Sequence, residues 1–172
     1  TATLLLIGAM SIASARPITL EGGRVSFDLP DGMDVMPDDL IALKYEAARQ
    51  LEMSAYMDET GDINLTVTMR PTAQRTDVSV LLPLMRNMMS SQNSALEWRL
   101  SELRAVNGTQ VAFMDFNTPA PNTADLHYRV RMLLLDFPDG LLIVALNCTT
   151  NLMTDCDRYA STIFDSLTFR PE

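Results

Sequence analysis

The sequence predicts an α+β fold, an antiparallel β-sheet with packed helices in a single domain. Strand-like segments recur in pairs, each pair joined by a short turn rich in Gly, Asp or Asn. Two segments, around residues 76–90 and 152–167, show the i, i+3, i+4 apolar spacing of amphipathic helices. Hairpins in runs, interrupted by separate helices, give helices laid on an antiparallel sheet rather than a parallel α/β array. A chain of 172 residues, 47% hydrophobic and 20% charged, is long enough to bury one substantial core.

Each element has its own signal. Ile18-Thr19-Leu20 and Val25-Ser26-Phe27 flank Glu21-Gly22-Gly23-Arg24 and read as a hairpin. Asp28-Leu29-Pro30-Asp31-Gly32 reads as a turn, with Asp, Pro and Gly where turns favour them. Residues 38–50 have mixed periodicity and read as irregular or as one short helix. Met53–Met57 and Ile63–Met69 are strands joined by Asp58–Asp62. In the second, Ile63, Leu65, Val67 and Met69 alternate with Asn64, Thr66, Thr68 and Arg70, which predicts one buried and one wet face.

Thr76-Asp77 caps a helix running to Ser90, with Val78, Leu81, Leu82, Met85, Met88 and Met89 on its apolar stripe. Pro83 favours a later start, at Leu82, with the proline in the first turn. A meander follows: Glu97–Val106 and Thr109–Asn117 about Asn107-Gly108, then Leu126–Phe137 and Leu141–Cys148 about Pro138-Asp139-Gly140. The last pair is almost continuously apolar and is expected at the sheet centre. Thr154 and Asp157 resemble a capping box opening a final helix, whose stripe is Leu152, Cys156, Tyr159, Ala160, Ile163, Phe164 and Leu167.

Thr1–Ala15 carries no charge, has an apolar run at Leu4–Met10 and ends Ala13-Ser14-Ala15. That is the apolar core and cleavage pattern of a secretory signal peptide, here the remnant 1–15, with the folded domain at 16–172. A buried first strand is the alternative. Export, to the periplasm or beyond, places the only two cysteines, Cys148 and Cys156, where disulfides persist. A strand turning back into a packed helix brings their Cα atoms within bridging range, so a disulfide is expected over two buried thiols.

Thirteen basic against 22 acidic residues give a net charge of −9, which disfavours a nucleic-acid partner. The sequence has no 18-residue apolar run to span a membrane. One His and two Cys supply few ligands for a transition metal, and no metal or cofactor is expected. Asp28, Asp31, Asp34, Asp38 and Asp39 crowd one loop, with a spacing that does not fit an EF-hand; a solvated acidic loop is favoured over a calcium site. Met33, Met36 and Tyr45 nearby are read as a partner-facing apolar patch. Met85, Met88 and Met89 are read as core filling rather than a copper site. His127, Arg129 and Arg131 alternate on one strand face. They read as an anion- or partner-binding strip, or as cross-strand pairs with Asp115 or Glu97, the latter being favoured. No Ser or Cys nucleophile stands beside His127, so a catalytic triad finds no support.

Several segments together resemble the Mog1/PsbP-like family: Phe27–Gly32, Lys44-Tyr45, the Asp58–Met69 hairpin, Glu97-Trp98 leading to Val106-Asn107-Gly108, Asp139–Leu142 and the closing Asp165–Phe169. The chain looks like the exported bacterial members. The resemblance implies an antiparallel sheet flanked by helices and a role as adaptor, accessory subunit or chaperone rather than enzyme. The expected function is an exported non-catalytic protein-binding module, an accessory or adaptor subunit of an envelope assembly, whose acidity suits a partner with a basic surface. An immunity protein blocking a periplasmic toxin is one alternative. A carboxylate-dependent hydrolase or a calcium or small-ligand carrier is another.

Overall fold

The structure is a computed structural model and describes residues 15–45, 51–75, 77–120 and 123–170. Of the expected leader only Ala15 is among them. The element order is β1 (Ala15–Leu20), β2 (Val25–Pro30), β3 (Met33–Val35), α1 (Asp38–Lys44), β4 (Glu52–Asp58), β5 (Ile63–Pro71), α2 (Val78–Gln92), β6 (Glu97–Val106), β7 (Thr109–Ala120), β8 (Thr123–Phe137), β9 (Gly140–Thr149), α3 (Met153–Ser166) and β10 (Thr168–Phe169). They form a seven-stranded sheet, β3-β4-β5-β9-β8-β7-β6, and a three-stranded one, β1-β2-β10. The pairings are antiparallel.

The large sheet is covered on both faces. Val67 and Met69 of β5, Val144 and Leu146 of β9 and Leu133 of β8 pack on one side with β2 and α3. There α3 buries Cys156, Tyr159, Ala160 and Ile163, one helical stripe. On the opposite side Ala112, Met114, Phe116 and Leu134 meet Val78 and Leu82 of α2. Each Val, Leu, Ile, Phe or Met side chain among them contributes about 1.5–3 kcal/mol on burial. The apolar β8–β9 pair occupies the middle of the sheet, as its composition requires.

The turns follow residue chemistry. Asn107 and Gly108 both take positive φ, 46° and 84°, the geometry that matches a two-residue hairpin to strand twist. Gly140 is fixed by crowding as well as by φ (153°), because a Cβ there would lie 2.2 Å from the Arg70 carbonyl oxygen.

Several expectations need correction. Strand β2 runs through Leu29 to Pro30, so only Asp31-Gly32 turns. Residues 33–35 pair with β4 as a short edge strand, and Thr168–Phe169 pair with β2. The alternation in β5 does not give a wet face: Asn64, Thr66 and Thr68 are buried, because β5 lies inside a sheet covered on both sides. Helix α2 begins at Val78, where the Asp77 carboxylate accepts the Ser79 N–H at 2.8 Å, and Pro83 lies within it. Met88 is exposed rather than in the core. Helix α3 is preceded by Leu152 with no side-chain cap, so Thr154 and Asp157 form no capping box. The disulfide expected between Cys148 and Cys156, by contrast, is present, with Cα atoms 6.0 Å apart, and ties β9 to α3.

Candidate functional site

The β3–α1 edge carries most of the residues expected to bind a partner. The Asp31-Gly32 turn leads into β3, and Pro37 then opens α1, whose first turn holds Asp38 and Asp39 near the positive end of the helix dipole. Asp31, Asp34, Asp38 and Asp39 are exposed. Asp34 accepts a hydrogen bond from Arg16 at 2.7 Å, and the same Arg16 nitrogen donates to the Met33 carbonyl at 3.2 Å. Asp28 stands apart: it is half-buried, and its N–H donates to the Ser166 hydroxyl at the seam with α3. Glu59 and Asp62 add exposed charge in the β4–β5 turn beside this edge, whereas Asp58 is occupied, accepting from the Thr60 hydroxyl and the Ile63 N–H.

Met33 and Met36 are not a partner-facing patch. They are 3% and 0% exposed, because β3 is a sheet strand with its first side chain turned into the core. The exposed apolar side chains of this edge are Val35 (66%) and Leu43 (77%), which sequence reasoning missed. Their signal was an apolar residue among carboxylates with no regular period to bury it. Among the described residues, no three His, Cys, Asp or Glu side chains gather at metal-binding distance.

The two arginines of the basic strip of β8 are consumed within the fold. Register sets Arg131 opposite Asp115 and Arg129 opposite Asn117. Arg129 reaches diagonally to grip both oxygens of Asp115, at 2.9 and 2.6 Å, and donates to Asp157 of α3 at 3.2 Å. Arg131 also pairs with Asp157 and lies 3.7 Å from Asp115. Of the two expected acidic partners, Asp115 is used; Glu97 instead accepts a long hydrogen bond from Asn117. The two guanidiniums hold the Asp157 carboxyl below its ordinary range, with the Arg131 hydrogen bond as the largest cause. A carboxylate kept ionised in this way cannot serve as a general acid near neutral pH. His127 stands opposite Pro119, half-buried, and makes no ion pair among the described residues.

A third feature is a cleft of about 340 Å³ lined by Lys44, Tyr45, Asn64, Thr118, Tyr128, Val130 and Asn147. The end of α1 supplies one wall, and β5, β9 and β8 supply the floor. Lys44 donates to the Gly61 carbonyl at 2.8 Å and to Asn64 Oδ1 at 3.3 Å, so its ammonium sits at the rim. Burial, then the nearby Tyr128, raises the Tyr45 phenol above its usual range, keeping it a neutral donor.

No family model matches the sequence, and no curated protein matches it. Solved structures do. The PsbP protein of the cyanobacterium Synechocystis sp. PCC 6803 superposes with a TM-score of 0.62 at 13% identity, over 95% of this chain and 96% of that one. The Ran-binding protein Mog1p of Saccharomyces cerevisiae gives 0.58 at 10% identity, over 91% and 96%. LpqN of Mycobacterium tuberculosis, involved in cell envelope biogenesis, gives 0.52 at 9% identity, over 93% and 92%. At such identities the likeness speaks for architecture alone. The chain has the Mog1/PsbP-like fold.

Proposed function

We propose that this chain is an exported, non-catalytic binding module whose β3–α1 edge docks on a basic surface of another protein. The observation that carries the reading is the edge itself: exposed Val35 and Leu43 set among Asp31, Asp34, Asp38 and Asp39. Apolar anchors supply contact area, while the surrounding carboxylates steer a cationic partner and reject acidic ones. The net charge of −9 extends that field over the whole molecule. Three further observations agree. The disulfide fits an oxidising compartment. Asp115 and Asp157 are both engaged by arginines, which takes this pair of carboxylates up in ion pairs of the fold. The fold is also that of a Ran-binding protein and of an envelope-biogenesis protein, which supports an accessory role.

The test is affinity capture of tagged residues 16–172 from native envelope extract, at low and high salt. A variant carrying Asp31→Asn, Asp34→Asn, Asp38→Asn and Asp39→Asn runs in parallel. One dominant protein should be captured at low salt, released at high salt and lost with the variant. Equal capture by both forms overturns the docking edge.

The cleft favours a second reading, a carrier of a small ligand held between Tyr45 and Tyr128 with Asn147 as a polar contact. Ligand screening by thermal shift, with Asn147→Leu as the control, separates it from the first.

A further inference from the structure

Strand β6 closes one end of the large sheet, and among the described residues nothing pairs with its outer side. It is ten residues long, contains no proline, and leaves a row of backbone donors and acceptors open. Edges of this length are normally blunted by bulges and charges that repel a second strand. Strand β6 has both, but their arrangement favours a copy of itself.

The register against β7 shifts at Trp98–Leu100, so Arg99 and Leu100 together occupy the space of one residue. Trp98 stands opposite Phe116, Leu100 opposite Asp115, Ser101 opposite Met114 and Arg104 opposite Val111. Counting along those β7 positions, Ser101 lies midway between Glu97 and Arg104, and midway between Trp98 and Leu103. A two-fold axis through Ser101, normal to the sheet, would therefore set Glu97 against Arg104 of the second copy and Trp98 against its Leu103. The Arg99-Leu100 bulge would face its Glu102. Glu97 would meet Arg104 and Arg99 would meet Glu102 as opposite charges, and Trp98 would meet Leu103 as apolar surface; Glu102 and Arg104 already pair with each other within each copy, so association would extend that ion pair across the axis.

The faces agree as well. Glu102 and Arg104 share the α3 side, since their β7 partners Phe113 and Val111 face α3 and its core. Trp98 and Leu103 share the α2 side, with Phe116 and Ala112 beneath them. Without the extra residue these pairs would fall on opposite faces, so the bulge makes the strand self-complementary. Leu103 is 40% exposed, and Trp98, packed on Phe116 at 5.0 Å, is only half-buried, so each has apolar surface left to cover.

We propose that two copies of this chain associate through their β6 edges, antiparallel about Ser101, joining two seven-stranded sheets into one. The interface is isologous, as two-fold symmetry requires, and lies at the opposite end of the sheet from the acidic β3–α1 edge. Dimerisation therefore leaves that edge free and presents it twice.

The test is sedimentation equilibrium of the intact protein from micromolar to millimolar concentration, with three variants. A half-swap, Glu97→Arg with Arg99→Glu, sets like charges against Arg104 and Glu102 of the second copy. It should weaken the dimer by roughly tenfold or more. The full swap, adding Glu102→Arg and Arg104→Glu, restores complementarity and should restore the dimer. Ser101→Cys places a thiol on the axis; both native cysteines are bridged, so oxidation should yield a covalent dimer through Cys at that position alone. Melting curves confirm that each variant is folded. A protein monomeric throughout the range overturns the proposal, as does a dimer indifferent to the half-swap.

Discussion

Asp115 and Arg129 are joined by two parallel hydrogen bonds, Nε to Oδ1 at 2.9 Å and Nη2 to Oδ2 at 2.6 Å, across the β7–β8 pair. Both side chains lie beneath the first turns of α3, where Asp157 completes a cluster with Arg131. Two carboxylates thus balance two guanidiniums, with Asp115, Arg129 and Arg131 largely buried and Asp157 open to solvent on its outer side.

That balance makes single deletions costly. Asp115→Ala leaves the largely buried Arg129 and Arg131 with only the more exposed carboxylate of Asp157 to share between them. The expected loss is about 3–5 kcal/mol, the usual cost of breaking a buried pair from one side. Urea unfolding followed by circular dichroism measures it. A loss under about 1 kcal/mol would show the arginines rehydrating freely.

The cluster also predicts an acid response. The Asp157 carboxyl is held below its ordinary range, so its pairing stabilises the fold above the unfolded carboxylate pKa, about 4. That stabilisation is lost as pH falls through the lower folded value. Melting temperature should therefore drop below about pH 4, and Asp157→Asn should flatten the drop while lowering stability at pH 7. Because Asp157 is 58% exposed on its side chain, solvent screening keeps the effect modest.

Removing the disulfide should destabilise the chain by about 2–3 kcal/mol, from the closure entropy of a loop of roughly ten residues. The bridge spans eight positions and pins the start of α3 to β9, so loosening should begin there. Hydrogen exchange on a Cys148→Ala, Cys156→Ala variant tests both points. Protection should fall first in residues 150–160.

Pro83 offers a gain. It sits in the second turn of α2, where it donates no hydrogen bond and its ring crowds the preceding turn. Its side chain is exposed, so little packing is lost on truncation. Pro83→Ala should raise stability by about 1–2 kcal/mol, the helical relief of about 3 kcal/mol being partly offset by greater freedom of the unfolded chain. A scanning calorimetry trace with an unchanged or lowered Tm would contradict this.

Local rules account for what was legible in the sequence. Turn chemistry marked the Asn107-Gly108 and Asp139-Gly140 hairpins, and unbroken apolar runs marked β8 and β9 as central. The stripe Cys156–Tyr159–Ala160–Ile163 announced the buried face of α3, and the residue spacing of Cys148 and Cys156 allowed their bridge. These depend on φ, on side-chain period and on short chain separations, all of which adjacent residues determine.

Burial and partnership were decided only in three dimensions. Asn64, Thr66 and Thr68 alternate like a solvated face and are nevertheless buried, because position in a sheet is set by strands distant in sequence. Met33 and Met36 entered the core for the same reason, leaving Val35 and Leu43 outside. Arg129 and Arg131 were visible as a strip, but Asp157 reached them only by the packing of α3 across the sheet. The two-fold pattern of β6 was hidden too, since its symmetry appears only once the β7 register absorbs Arg99. Local residue order thus determined the elements and their hairpins. Which face of each met solvent, and which charges met each other, depended on contacts between distant segments that no local pattern encodes.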